Sequence, residues 1–262
     1  MSAILLEGQI VHYEVLGRGR PIIFLHGWLG SWRYWIASMQ VASTSFRAYA
    51  LDLWGFGDTA HDPQQYGIPH QAELLRHFLD EMGIGKVALV GHGLGALVGL
   101  NFCTRWPELV DRMMAVTCPT SPDAIHPRLR TSSLPDLLNW LGSKTPEAAA
   151  ALADAVKADP QAITASVNSF QADGLFDQMR KSLIALLLVY GQNDPLITLP
   201  PGGESSNLPH MMHQIVLENC GHFPMIDETA RFNRLLIDFL ALESGFSPQD
   251  LRLKEEWKRR VR

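Results

Sequence analysis

Hydrophobic and polar positions follow two rhythms along the first half of this chain. AILLEGQIVHYEVLG (Ala3 to Gly17) alternates apolar and polar residues, which predicts two opening strands around Glu7-Gly8. PIIFLHG (Pro21 to Gly27) is a continuous apolar run closed by glycine, the pattern of a strand buried on both faces. SWRYWIASMQVAS then fits a helix, FRAYALD (Phe46 to Asp52) a strand, and IPHQAELLRHFLDEMG a helix that Gly83 stops. KVALVG, LGALVGLNFCTRWP and RMMAVTC continue as strand, helix and strand. This alternation predicts an α/β protein, a mostly parallel sheet wrapped by helices with right-handed crossovers.

The rhythm breaks after the AVTC strand. From Pro119 to about Lys181 no segment reads as a strand; proline punctuates its start and alanine dominates TPEAAAALADAVKADPQAITASV. Three or four short helices are expected there. The alternation then resumes with IALLLVYG (Ile184 to Gly191), a short helix near Ser205 to His210, the strand HQIVLE and the helix ETARFNRLLIDFLALE. The tail SPQDLRLKEEWKRRVR reads as a charged helix packing on the domain. The expected organisation is a core of residues 1–118 and 182–262 with a helical lid over 119–181.

Composition narrows the classes of function. With 262 residues and 47% hydrophobic content, the chain suits one large α/β domain. A formal charge of −5 argues against nucleic acid, whose phosphates need clustered Lys and Arg. Cys103, Cys118 and Cys220 are odd in number and widely spaced, so neither a disulfide framework nor a zinc site is expected. HMMH (His210 to His213) offers two histidines without a third ligand, and no metal or cofactor is expected. MSAILLEGQI makes a poor signal peptide, and IALLLVY is too short to span a bilayer. A soluble cytoplasmic protein without membrane insertion is the expectation. The oligomeric state is left open.

The most informative stretch is VALVGHGLGALVGL (Val87 to Leu100): a buried strand, a glycine-pinched turn and a closely packed helix. Three further motifs stand with it: FLHGWLGSW (Phe24 to Trp32), DLWGFGDT (Asp52 to Thr59), and YGQNDPLI followed by NCGHFPMIDE. Together, in this order, they resemble the α/β-hydrolase superfamily over nearly the whole chain. FLHGWLGSW looks like its His-Gly oxyanion loop and DLWGFGDT like its Asp-x-x-Gly-x-Gly turn. GHGLG (Gly91 to Gly95) stands where the family carries the G-x-S-x-G nucleophile elbow. The resemblance implies the α/β-hydrolase fold. It assigns Asp194 the orienting of His222, and His222 the role of general base. A carboxylate on one ring nitrogen fixes the tautomer and leaves the other nitrogen free to accept a proton. The backbone N–H groups of Leu94 and Trp28 are the candidate oxyanion donors, Leu94 at the positive end of a helix.

Gly93 stands at the nucleophile position and has no attacking atom. In a serine protease, losing the serine alone costs on the order of 10⁶ in turnover. Ordinary covalent hydrolysis is therefore not expected, unless something replaces that oxygen. Cys118 is the best alternative nucleophile, although a buried structural thiol is the commoner state of such a residue. Ser31 suits a structural role, and a water at Gly93 activated by His222 is a further route. His26, Trp54 and Cys118 are the candidate ligand-contacting residues, while Tyr34 and Trp35 read as core and His92 receives no special role. Three readings follow. The first is a nucleophile-less protein binding a small apolar or ester-like ligand or a partner. The second is a carboxylic ester hydrolase, inactivated at this position or working through water. The third is an interaction protein using the lid or the tail.

Overall fold

In the computed structural model, which describes residues 2–142, 145–171, 174–200 and 208–251, eight strands hydrogen-bond into one sheet. β1 (Ser2–Leu6) and β2 (Gln9–Gly17) form an antiparallel hairpin. Its two turn residues, Glu7 (φ 50°) and Gly8 (φ 78°), both have positive φ, the backbone whose twist matches a two-residue hairpin. There follow β3 (Arg20–Leu25), α1 (Ile36–Ala42), β4 (Phe46–Leu51), α2 (Ile68–Glu81), β5 (Val87–His92), α3 (Leu94–Arg105) and β6 (Val110–Val116). Each strand and helix predicted for this half is present. The helix predicted over SWRYWIASMQVAS opens with a 3₁₀ turn (Trp32–Trp35), which the Ser31 hydroxyl caps by accepting the Arg33 N–H at 3.2 Å.

The strand order is β1-β2-β4-β3-β5-β6-β7-β8, and all pairs from β4 to β8 are parallel. From β3 the chain moves to β4 on one side, and only later to β5 on the other. Such a reversal leaves a crevice beyond the carboxyl ends of the two diverging strands, where open α/β sheets bind ligands. The loop carrying Trp28 leaves β3 there, and the turn carrying Gly93 leaves β5 there. Both strands are buried along the residues that lead to these loops, so the crevice has a rigid floor.

Between β6 and β7 (Ala185–Gly191) lie α4 (Arg128–Thr131), α5 (Leu134–Leu141), α6 (Pro146–Ala151), α7 (Pro160–Ser169) and α8 (Leu175–Lys181). These are five α-helices where three or four were expected. Punctuation divides the alanine-rich stretch: Thr145 caps α6, a 3₁₀ turn (Ala153–Lys157) interrupts, and Asp159 caps α7. The chain returns through β8 (Met212–Leu217), α9 (Pro224–Asp227) and α10 (Thr229–Leu240). The short helix expected near Ser205 to His210 falls partly outside the described residues, and the portion inside is a turn closed by Met212 N–H to Pro209 O at 2.8 Å. Of the charged helix expected over 247–262, residues 252–262 lie outside the described residues, and Pro248–Asp250 form a 3₁₀ turn. No helix among the described residues is long and apolar enough to cross a membrane.

Candidate functional site

The turn after β5 begins at Gly93, with φ 50° and ψ −107°. This backbone region is open to glycine and strained for any residue with a Cβ. The chain is held in it from both sides. Gly93 N–H donates to Val116 O at 2.9 Å, and Gly95 N–H donates to His26 O at 3.0 Å. The second bond explains Gly95, because a Cβ there would be driven into the Leu25 carbonyl. β5 thus passes into α3 in one sharp step, and α3 starts at Leu94, directly beside the loop from β3.

His222 and Asp194 arrive from the loops after β8 and β7. His222 Nδ1 and Asp194 Oδ2 are 2.9 Å apart, and both side chains are about 1% exposed. The other carboxylate oxygen, Oδ1, accepts the N–H groups of Leu196 (2.8 Å) and Ile197 (3.2 Å), which fixes the carboxylate from behind. A carboxylate so placed selects the Nδ1–H tautomer of His222 and leaves Nε2 as the basic atom. Among the described residues, Nε2 has no hydrogen-bond partner. The backbone N–H groups of Trp28 and Leu94 likewise donate to no protein acceptor among them. The residues expected as base, orienting acid, oxyanion donors and vacant nucleophile position are therefore brought to one end of the sheet.

A buried chain of hydrogen bonds joins the three loops. Gly27 N–H donates to the Tyr34 hydroxyl, and that hydroxyl donates to His92 Nδ1 at 3.0 Å. His92 Nε2–H donates to His222 O at 2.8 Å. Each donor meets one acceptor only if His92 is neutral with its proton on Nε2. Burial holds His92 well below the usual imidazole range, and the neighbouring His222 adds to that effect, in accord with the neutral form. The two imidazoles lie 4.7 Å apart, centroid to centroid. His92 and Tyr34 are the residues that sequence reasoning missed. Their motif and spacing carried no sign that they would meet.

The expected ligand contacts His26, Trp54 and Cys118 are all buried. His26 is fully buried; its Nδ1–H donates to Gly27 O (2.8 Å) and its Nε2 accepts Leu53 N–H (3.0 Å). Both nitrogens are thus engaged by backbone, and no polar atom remains for a ligand. Cys118 is also fully buried, its thiol turned to Pro119 O at 3.8 Å and pushed well up in pKa by burial. A thiol without access or thiolate character is no substitute nucleophile. Ser31 is occupied as a cap and as a 3.3 Å partner of Asp154. Trp54 is buried, its backbone clamped by Gln71 through bonds of 2.9 and 3.0 Å.

Among the described residues, His12, Asp52 and Asp58 have ligand atoms within 4.8 Å of one another. Their bonding is already committed. Asp52 accepts from His12 Nδ1 and from the N–H groups of Trp32 and Asp58, while Asp58 pairs with Lys157 at 2.8 Å. Asp52 thereby organises the Asp-x-x-Gly-x-Gly turn.

Residues 22–235 match the model of the alpha/beta hydrolase family. Similar curated proteins include 2-hydroxy-6-oxo-6-(2'-aminophenyl)hexa-2,4-dienoic acid hydrolase of Metapseudomonas resinovorans, 26% identical over 89% of this chain and 88% of that protein. Epoxide hydrolase 2 of Siraitia grosvenorii is 35% identical over 43% of this chain, a match spanning 37% of that protein's length. Among solved structures, a putative aryl esterase from Burkholderia cenocepacia superposes with a TM-score of 0.78 at 26% identity, covering 91% of this chain and 96% of that one. A serine-to-glycine mutant of the N-acyl homoserine lactonase AidH, complexed with N-hexanoyl homoserine lactone, is alike in fold: TM-score 0.79, 20% identity, 91% and 96% covered.

Proposed function

The chain belongs to the alpha/beta hydrolase family, and from that premise we propose that it is a member without covalent serine chemistry, which binds a small apolar, carbonyl-bearing ligand in front of Gly93. The observation that carries this reading is the elbow itself. Gly93 holds the sharp turn with φ 50° and offers no side-chain atom, while His222 and Asp194 stay paired at 2.9 Å. Glycine avoids a strain of about 1–3 kcal/mol that a side chain would store there. Once attack by a hydroxyl is not required, glycine is the stable choice, and an ancestral serine ester hydrolase is the natural source of such a site. Trp28 and Leu94 present two backbone N–H groups without protein acceptors among the described residues, suited to a ligand carbonyl oxygen. The inserted helices over residues 119–181 act in this reading as the lid.

Gly93→Ser tests the reading. The variant should be labelled by a serine-directed fluorophosphonate and should turn over short aryl esters, and both activities should vanish in Gly93→Ser/His222→Ala. A folded Gly93→Ser protein that is never labelled would sink the idea that the remaining groups form an acyl-transfer frame. The Nε2 of His222, without a partner among the described residues, favours one second reading, hydrolysis by a water that this nitrogen activates. The unaltered chain would then hydrolyse aryl esters and lose that turnover in His222→Ala. Turnover that survives the change rules the water route out.

A further inference from the structure

The ring of Trp28 lies where a nucleophile's side chain would point. A Cβ built on Gly93 comes 3.2 Å from both Cε3 and Cζ3 of the indole, closer than ordinary contact. Trp28 is fully buried. Its Nε1–H crosses to the inserted helices and donates to Ser166 Oγ, on α7, at 3.0 Å. Ser166 is buried too, and its single hydroxyl proton is directed back to Ala162 O (2.7 Å) and Ile163 O (3.0 Å). Toward the site, Ser166 therefore presents lone pairs and acts only as an acceptor. The indole's benzo edge rests on Gly93 while its N–H edge satisfies Ser166.

A planar ligand that packs on Gly93 where the indole now lies must take the place of that ring. Leaving Ser166 without a donor in a buried site costs about 1–3 kcal/mol, so a ligand that brings its own N–H or O–H is favoured over an isosteric one that brings none. From this geometry, and resting on the reading of the crevice as a ligand site, we infer that the space now held by the Trp28 indole binds planar aromatic compounds bearing a hydrogen-bond donor, with Ser166 setting that selectivity. Binding displaces the indole and parts Trp28 from α7.

Indole and benzothiophene are the discriminating probes, because they are close in shape and apolar area and differ in the donor. The full chain is labelled with 5-fluorotryptophan. The Trp28 fluorine resonance is assigned with Trp28→Phe, or by replacing the other tryptophans in turn should that variant not fold. Indole should move the Trp28 resonance saturably and bind at least about fivefold more tightly than benzothiophene, the factor that a net buried hydrogen bond supplies. Ser166→Ala should bring the two affinities together. The inference is overturned by no saturable movement of Trp28 with either probe, by equal affinities in the unaltered chain, or by a preference that survives in Ser166→Ala. The experiment involves no nucleophile, so it can fail while Gly93→Ser labelling succeeds, and the reverse.

Discussion

At Gly93 the backbone and the neighbouring ring make the same demand. Any side chain there is strained at φ 50° and must push the Trp28 ring by a few tenths of an ångström. Gly93→Ala and Gly93→Ser should each destabilise the protein by about 1–3 kcal/mol, lowering Tm by roughly 2–4 °C per kcal/mol in a chain of this size. Calorimetry checks this, and an unchanged Tm would mean that the elbow relaxes at no cost. Tyr34 carries a second prediction. Tyr34→Phe removes the acceptor of Gly27 N–H and the donor to His92 Nδ1 together. Two orphaned buried groups should cost about 2 kcal/mol or more. In the Gly93→Ser background the same change should slow fluorophosphonate labelling, because the loop carrying Trp28 and the His222 backbone lose their common anchor. Labelling at an undiminished rate would refute that link. Gly93, Asp194 and His222 were legible in the sequence because each sits in a short motif behind an apolar strand. Tyr34, His92 and Ser166 were not, because what they do depends on partners 7 to 138 positions away.

The inserted helices are pinned to the sheet end by a few polar contacts. Trp28 reaches Ser166; Asp159 N–H donates to Gly55 O at 2.8 Å; Tyr66 Oη donates to Asp159 at 2.7 Å. Asp154 gathers the Ser31 hydroxyl (3.3 Å), Arg33 Nε (2.7 Å) and Lys157 Nζ (3.1 Å). Arg33 and Lys157 are partly solvated, so Asp154→Ala should cost a moderate 1–2 kcal/mol, roughly. The loss should be local: amides of α6 and of the 3₁₀ turn at Ala153–Lys157 should exchange faster, while those of β5 and α3 stay protected. Hydrogen exchange read by mass spectrometry distinguishes this from uniform loosening, which would contradict the pinning. At this scale the sequence was an uneven guide. The strands β3, β5 and β7 announced themselves as apolar runs, since burial on both faces leaves no polar position. The inserted helices are only four to ten residues long and are started by caps at Ser133, Thr145 and Asp159. Periodicity is faint over one or two turns, so their number was undercounted.

Over the whole molecule, buried histidines set how stability responds to acid. His26, His92 and the half-buried His213 are held below the usual imidazole range by burial; the charge of Asp52 opposes this at His26, and His222 reinforces it at His92. Each stays neutral in the folded chain while its unfolded counterpart takes up a proton near pH 6.5. Below that pH the unfolded state binds more protons, so stability falls as pH falls. The full contribution of the three is present above pH 6.5. Three such groups give a slope of up to about 4 kcal/mol per pH unit. His12 has the opposite sign. Burial works against its charged form, but the hydrogen bond and charge of Asp52 at 2.7 Å, with Glu14 and Asp58, outweigh burial and raise it. Its contribution is complete below pH 6.5 and is lost as pH rises through the raised value. Stability should therefore peak near neutrality, with a steep acid side and a shallow single-proton decline on the alkaline side. Denaturant unfolding between pH 5 and 8 reads both limbs. His92→Gln keeps a donor for His222 O and cannot titrate, so it should remove about a third of the acid slope. A stability curve flat from pH 5 to 6.5 would mean that these imidazoles are hydrated in the folded protein. The His92 bridge between Tyr34 and the His222 carbonyl would then not be the closed, neutral link on which the geometry of the site depends.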